Sequence, residues 1–220
     1  MGHRDFKDQL YAQFARIGKA LASPQRLELL DLLAQGERTV EDLAQEAALT
    51  VANASQHLRV LRGARLVDSR KEGLYVYYRL ANPAVYTLWR ALRDVGEQQL
   101  AEIDRLVDIY MRHPEHLEPL SREDLAHRLA EGETILLDVR PALEYQQGHI
   151  AGALSMPVEQ MAARLRELHP GQEVVAYCRG PYCVFADEAV ALLRSRGFAA
   201  RRYAEGYPEW AAAGLPVERG

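Results

Sequence analysis

The 220-residue chain has little cysteine, with two residues that both lie beyond position 177, and two thiols cannot form a disulfide framework. Long hydrophobic runs are missing too. The longest are a few residues, far short of the roughly 20 that cross a bilayer, and no leader-like apolar stretch opens the chain. Charge of one sign is absent, because 27 Lys and Arg face 31 Asp and Glu for a net charge of −4. There is no internal repeat and no low-complexity tract. What remains, 48% hydrophobic and 26% charged, is ordinary globular composition, which argues against disorder and collagen-like structure. A soluble, cytoplasmic protein with no membrane partner is expected, of one large domain or two small ones at roughly 100–200 residues each.

The near-neutral balance hides an asymmetry. Residues 1–112 carry 16 basic against 15 acidic side chains, and residues 113–220 carry 11 against 16. Between them, Arg112-His113-Pro114-Glu115-His116-Leu117-Glu118-Pro119 holds two prolines that stop one helical pattern before another starts at Ser121. The expected organisation is a domain over 1–112, a linker over 113–119 and a second domain over 120–220.

The first half reads as mainly helical. Phe6, Leu10, Phe14, Ile17 and Leu21 recur at helical spacing. Ser23-Pro24 marks the start of a second helix that Gly36 ends. A short helix follows with Val40, Leu43, Ala44 and Ala47 inward, and Thr50 caps another that buries Val51, Ala54, Leu58 and Leu61. The period then changes to that of a β-hairpin: Leu66–Arg70, a turn at Lys71-Glu72-Gly73, and Leu74–Leu80. Asn82-Pro83 opens a helix expected to run unbroken to about Tyr110. Its apolar stripe of Val85, Leu88, Trp89, Leu92, Val95, Ile103, Leu106, Val107 and Tyr110 is longer than so small a domain can cover, so part of it is expected to meet a second subunit.

Two short helices and a hairpin form the order of a winged helix-turn-helix. A DNA major groove admits one helix, whose outer face must carry polar and basic groups. The outward positions here are Asn53, Ser55, Gln56, Arg59 and Arg62, with His57 near the edge. Asn and Gln can pair bidentately with adenine, and arginine suits guanine or phosphate. Arg70 and Lys71 beside Gly73 would form a basic wing tip. Residues 50–79 hold six basic groups against Asp68 and Glu72, a local excess that can meet a polyanion.

The run from Ala20-Leu21-Ala22-Ser23-Pro24-Gln25-Arg26-Leu27 through Ala54-Ser55-Gln56-His57-Leu58-Arg59-Val60-Leu61 to the hairpin resembles the ArsR family of bacterial repressors over residues 10–110. The resemblance implies a homodimer joined by its first and last helices, with Asn53, Ser55, Gln56 and His57 reading an inverted repeat in double-stranded operator DNA. Two departures stand out. Arg65 occupies a position where the family often has glycine before the wing. The helix spanning Thr39-Val40-Glu41-Asp42-Leu43 also lacks the cysteines of metal-sensing members. Asp104 and Asp108 lie one turn apart and His113 and His116 lie beyond them, an arrangement that reads better as a solvated helix face and hinge than as a metal site. No metal and no cofactor are expected.

The second half alternates helix and strand, giving an α/β domain with a mainly parallel sheet. Thr134–Val139, Ala153–Met156, Glu173–Tyr177 and Ala199–Tyr203 read as strands. Both cysteines fall in one loop, Cys178-Arg179-Gly180-Pro181-Tyr182-Cys183, between a buried strand and a helix. That places Cys178 at the carboxyl edge of the sheet, facing the positive end of a helix, where thiolate is favoured and Arg179 would add a second positive charge.

The series Leu137-Asp138-Val139-Arg140, Glu144-Tyr145, Gly148-His149-Ile150-Ala151-Gly152-Ala153, Pro157, the cysteine loop, Gly206, Trp210 and Ala213-Gly214-Leu215-Pro216-Val217 resembles a rhodanese domain over about 118–220. The resemblance implies that Cys178 takes a sulfane sulfur as a persulfide and passes it to a thiol or cyanide acceptor. The backbone of Arg179, Gly180, Pro181 and Tyr182 would cradle the sulfur, while Asp138, Arg140, Glu144 and His149 would support the loop from beneath. Cys183 stands where many rhodaneses carry Arg, Lys or Thr, which weakens the case for thiosulfate turnover. Cys183 is either a resolving thiol or a small residue at a helix start, and a Cys178–Cys183 bridge is expected to distort the loop. The reading is a repressor whose rhodanese domain senses or transfers sulfane sulfur. A sulfurtransferase using its DNA-binding domain only for location or dimerisation, and a metal- or metalloid-responsive repressor, are the alternatives.

Overall fold

The computed structural model describes residues 2–111, 119–132, 134–169 and 171–220. The linker expected at 113–119 lies, apart from Pro119, outside the described residues, as do His113 and His116. The chain divides into two compact units, one ending at Val95 and the other beginning at Gly96.

The first unit opens with α1 (His3–Leu21), α2 (Pro24–Ala34), β1 (Arg38–Thr39), α3 (Val40–Glu46) and α4 (Val51–Gly63). Thr39 starts α3 with a capping box, accepting from the Asp42 N–H while the Asp42 carboxylate accepts from the Thr39 N–H at 3.3 Å. Thr50 caps α4 by accepting from the Asn53 N–H. Ala48, in the α3–α4 turn, and Arg65, just past α4, both have left-handed backbone at φ 50° and 60°. Arg65 thus takes the strained position itself, at a cost of roughly 1 kcal/mol, and Gly63 stays helical. The core joins Leu29, Leu30 and Leu33 of α2 to Leu43 of α3 and Ala54, Leu58 and Leu61 of α4, all buried. Full burial contributes roughly 1.5–3 kcal/mol for each large side chain.

The hairpin is β2 (Val67–Glu72) and β3 (Tyr75–Leu80). Their register pairs Glu72 with Tyr75, so the turn is Gly73-Leu74; Lys71 and Glu72 carry the first strand two residues past its expected end at Arg70, and Leu74, expected in the second strand, lies in the turn. Gly73, at φ 59°, supplies the positive φ that a two-residue hairpin loop needs. β1 was not anticipated. Its two residues pair antiparallel with β3, Arg38 opposite Tyr78 and Thr39 opposite Tyr77.

The long helix is broken in two, α5 (Pro83–Gln99) and α6 (Ala101–Tyr110), with Leu100 extended between them at φ −114°, ψ 96°. Gly96 lies beside the break: a Cβ there would come within 3.2 Å of the Ile103 Cδ1, so Ile103 of α6 folds back closely on the bare end of α5.

The second unit continues with α7 (Arg122–Glu131), β4 (Thr134–Asp138), α8 (Ala142–Gln147), β5 (His149–Ile150), β6 (Leu154–Ser155), α9 (Val158–Arg164), β7 (Glu173–Cys178), α10 (Val184–Ser195), β8 (Ala200–Gly206), α11 (Tyr207–Ala212) and β9 (Val217–Glu218). A 3₁₀ turn at Leu165–Glu167 extends α9. The sheet runs β6-β4-β7-β8 with every pair parallel; β5 and β9 form a separate antiparallel pair. Helices α8 and α11 and the β5–β9 pair were not anticipated.

Strand periodicity sorts β7 between two cores. Val174, Ala176 and Cys178 face the layer of Met161, Ala189, Val190 and Leu193 from α9 and α10. Val175 and Tyr177 face the opposite layer with Leu125, Tyr203 and Trp210. β4 leads on to β6 at one side and β7 leads on to β8 at the other, so the order reverses between β4 and β7. Ligand sites in open parallel sheets lie outside the carboxyl ends of the strands at such a reversal, here at Asp138 and Cys178.

Candidate functional site

Cys178 is the last residue of β7 and is 1% exposed. Cys183, half-buried, is the N-cap of the twelve-residue α10. The two are joined by a disulfide with their Cα atoms 6.1 Å apart, inside the span that a disulfide bridges. In the bridged loop the Cys183 N–H donates to the Gly180 carbonyl at 3.2 Å, and α10 starts at the next residue. Arg179, Gly180 and Pro181 are half-buried and Tyr182 is 42% exposed.

Two features outside the loop hold it. Gly206, at the end of β8, pairs with Cys178, and a Cβ at Gly206 would stand 2.5 Å from the Arg179 carbonyl carbon and the Gly180 nitrogen. The loop therefore lies directly on a bare backbone. Arg202 of β8 donates from one Nη to the Pro181 carbonyl at 2.9 Å and from the other to Asp187 of α10 at 2.7 Å. Arg202 was missed from sequence, where its place in an edge strand gave no signal; Gly206 figured only as a landmark.

Arg179 was expected to bring positive charge to the sulfur. Instead its Nε and Nη2 donate to one oxygen of Glu144, at 2.9 and 2.6 Å, so a buried carboxylate of α8 offsets its charge. Beneath lies a second pair with both side chains fully buried. The Arg140 guanidinium donates to both Asp138 oxygens, at 2.6 Å from Nη2 to Oδ2, and to the Gly148 carbonyl at 2.7 Å. The Tyr177 hydroxyl donates to Asp138 at 2.6 Å and accepts from the Ile150 N–H at 3.0 Å. Burial and then the Asp138 charge push the Tyr177 hydroxyl well above its usual range. Burial works to lower Arg140, but its bonds to Asp138 outweigh this and hold it above the ordinary guanidinium value. His149, buried, bonds through Nδ1 to the Tyr145 carbonyl at 2.9 Å and stacks on the Tyr145 ring at 3.7 Å between centroids. Asp138, Arg140 and Glu144 thus converge below the loop, whereas His149 belongs to the neighbouring β5–β9 corner.

In the first unit α4 exposes Asn53, Gln56, Arg59 and Arg62, while Ser55 and His57 are half-buried. Arg16 of α1 donates to the Gly63 carbonyl at the end of α4, a cation at a helix C-terminus that sequence reasoning did not single out. Arg70 is not a free wing-tip cation. Its Nε donates to both oxygens of Glu37 at 3.0 and 2.9 Å, it also bonds to Glu72, and it lies 4.4 Å from the Tyr77 ring centre. Lys71 is exposed beside it. Among the described residues no three His, Cys, Asp or Glu side chains are grouped to hold a metal, and no helix is long and apolar enough to cross a membrane.

Comparison with known proteins places both units. Residues 23–69 match the model of the arsR family of bacterial regulatory proteins, and residues 121–213 match that of the rhodanese-like domain. The HTH-type transcriptional regulator Rv0324 of Mycobacterium tuberculosis is 43% identical over 219 residues, spanning 100% of this chain and 96% of that protein. A transcriptional repressor SmtB homolog of Synechocystis is 43% identical over 82 residues, 37% of this chain and 62% of that protein. A solution structure of a homodimeric winged helix-turn-helix DNA-binding domain from Mycobacterium bovis is 43% identical, covering 46% of this chain and 93% of that one, with a TM-score of 0.43.

Proposed function

The chain belongs to the ArsR family of bacterial regulatory proteins and carries a rhodanese-like domain, and from that premise we propose that it is a homodimeric repressor whose affinity for operator DNA is set by sulfane sulfur at Cys178. The DNA-binding domain would occupy residues 1–112 and the rhodanese-like domain residues 120–220. Asn53, Gln56, Arg59 and Arg62 would enter the major groove, with Ser55 and His57 at its edge, and Lys71 would meet the phosphate backbone. Phe6, Leu10 and Phe14 of α1 and Leu88, Leu92 and Val95 of α5 are exposed large apolar residues, which supports a subunit interface made by the first helix and the stripe of α5.

One observation carries the sulfur reading. Both cysteines of the chain meet in a single strand-to-helix loop at the reversal point of the sheet, and the DNA-binding half contains none. In the dithiol state, Cys178 lies on the positive end of α10, which favours its thiolate. The thiolate attacks the sulfane sulfur of a donor persulfide or polysulfide, whose S–S bond breaks as the rest of the donor leaves as a thiolate or shorter polysulfide. This gives a Cys178 persulfide held against the loop N–H groups, with Cys183 within reach to resolve it. Asp138, Arg140 and Glu144 act as positioning residues. The test is operator binding by a Cys178→Ser, Cys183→Ser double variant. It is expected to bind DNA and ignore polysulfide; a polysulfide response equal to wild type would overturn the reading.

A further inference from the structure

We infer that the Cys178–Cys183 dithiol is a persulfide-reducing centre that draws on thiol-borne persulfides, not on dianionic donors such as thiosulfate, and releases the sulfane sulfur as sulfide. The inference rests on the reading of Cys178 as the sulfur acceptor and adds to it the donor class and the fate of the sulfur.

Charge around the loop selects the donor. Two guanidinium groups bear on it, and each is matched by a carboxylate: Arg179 by Glu144, and Arg202 by Asp187. Both pairs are mostly buried, with side-chain exposures between 2% and 15%, so neither cation turns to an incoming anion without leaving a buried carboxylate unpaired. On the open side of the loop Tyr182 and Val184 are 42% and 44% exposed and bring no positive charge, and the Tyr182 hydroxyl donates to the Glu97 carboxylate, an acidic group. A dianion gains little there, whereas the outer sulfur of an alkyl persulfide needs only the nucleophile and the N–H groups at the start of α10.

The position of Cys183 decides the fate of the sulfur. The Cys178 thiolate attacks the outer sulfur of RS–SH; a Cys178 S–S bond forms, the RS–SH bond breaks, and RS⁻ leaves with the bond pair. The Cys183 thiolate, already within bridging distance, then attacks the Cys178 Sγ, and hydrosulfide leaves. With protons included, two protein thiols and RSSH give one disulfide, RSH and H₂S, so the sulfane sulfur is reduced and the two cysteines are oxidised. The bridged loop is the product state. An external dithiol resets it by attacking the Sγ of Cys183, which is more exposed than the 1%-exposed Cys178, and Cys178 leaves as the thiolate that begins the next cycle.

The experiment uses the full-length protein, reduced and kept anaerobic, mixed with glutathione persulfide or with thiosulfate, and follows sulfide, free thiols and intact mass. Wild type is expected to release about one sulfide per chain with loss of both thiols. Cys183→Ser, with Cys183→Ala as a second variant, is expected to release at least about tenfold less sulfide and to hold one extra sulfur atom on Cys178. Thiosulfate is expected to react at least about tenfold more slowly than the persulfide. A stable Cys178 persulfide in wild type without sulfide release overturns the reductive step and leaves the acceptor reading intact, and equal rates with thiosulfate overturn the donor class. If neither wild type nor the variants take up or release sulfur, the acceptor reading itself fails.

Discussion

Arg179 gives two hydrogen bonds to a single oxygen of Glu144, 35 residues earlier in the chain, at 2.9 and 2.6 Å. The residue that follows Cys178 is thereby fixed to α8, and its charge is spent before it reaches the sulfur. Glu144→Gln should destabilise the second unit by about 3 kcal/mol, because it leaves a largely buried guanidinium without its counter-charge. The freed charge should also make reduced Cys178 more reactive towards an alkylating agent at pH 7. Chemical denaturation and iodoacetamide kinetics measure the two effects; unchanged stability would show that the pair does not anchor the loop.

Gly206 is expected to tolerate no side chain. In Gly206→Ala the new methyl would sit 2.5 Å from loop backbone, so the loop must lift away from β8, at a cost of about 1–3 kcal/mol. Reaction of the reduced protein with a persulfide should fall together with stability. A variant with wild-type sulfur kinetics would place the working loop elsewhere.

In the DNA-binding unit Gln56→Ala should cost about 1–3 kcal/mol of operator affinity and relax the preference at one base position. Lys71→Ala should lower the salt dependence by about one unit of slope. Arg70→Ala should change that slope less than Lys71→Ala, since Glu37 and Glu72 already hold Arg70. Titrations at several salt concentrations separate the three.

Glu28 is exposed on α2, yet partial desolvation of its carboxyl, and next the charge of Asp31, hold it above its ordinary value. The folded state therefore keeps this proton to a higher pH than the unfolded state does, and stability falls as pH rises through the window just above the ordinary carboxylate value. Glu28→Gln should melt at a higher temperature than wild type at pH 7 and lose most of that advantage near pH 4, where the carboxyl is mostly protonated in both states. Melting curves at the two pH values check the sign, and a destabilised variant at pH 7 would contradict it.

Features made by neighbouring residues were legible in the sequence. The cap at Thr50, the apolar spacing of α4, and the strand-loop-helix around Cys178 each depend on side chains within a few positions of one another. What was not legible depends on distant partners. The break at Leu100 brings Ile103 back onto Gly96, and the apolar pattern crosses it without interruption. The tether on Arg70 comes from Glu37, 33 residues earlier, and the support from Arg202 depends on the register of β8 against β7. Strands of two residues, such as β1, β5 and β9, are too short to show a period.

The most direct test of the account is fluorescence anisotropy of the reduced full-length protein on its own promoter DNA, before and after addition of polysulfide, with Cys178→Ser alongside. The account predicts that wild type loses affinity by at least about tenfold, some 1.4 kcal/mol, and that Cys178→Ser binds equally well in both conditions. Tight binding by wild type that polysulfide leaves unchanged would contradict it.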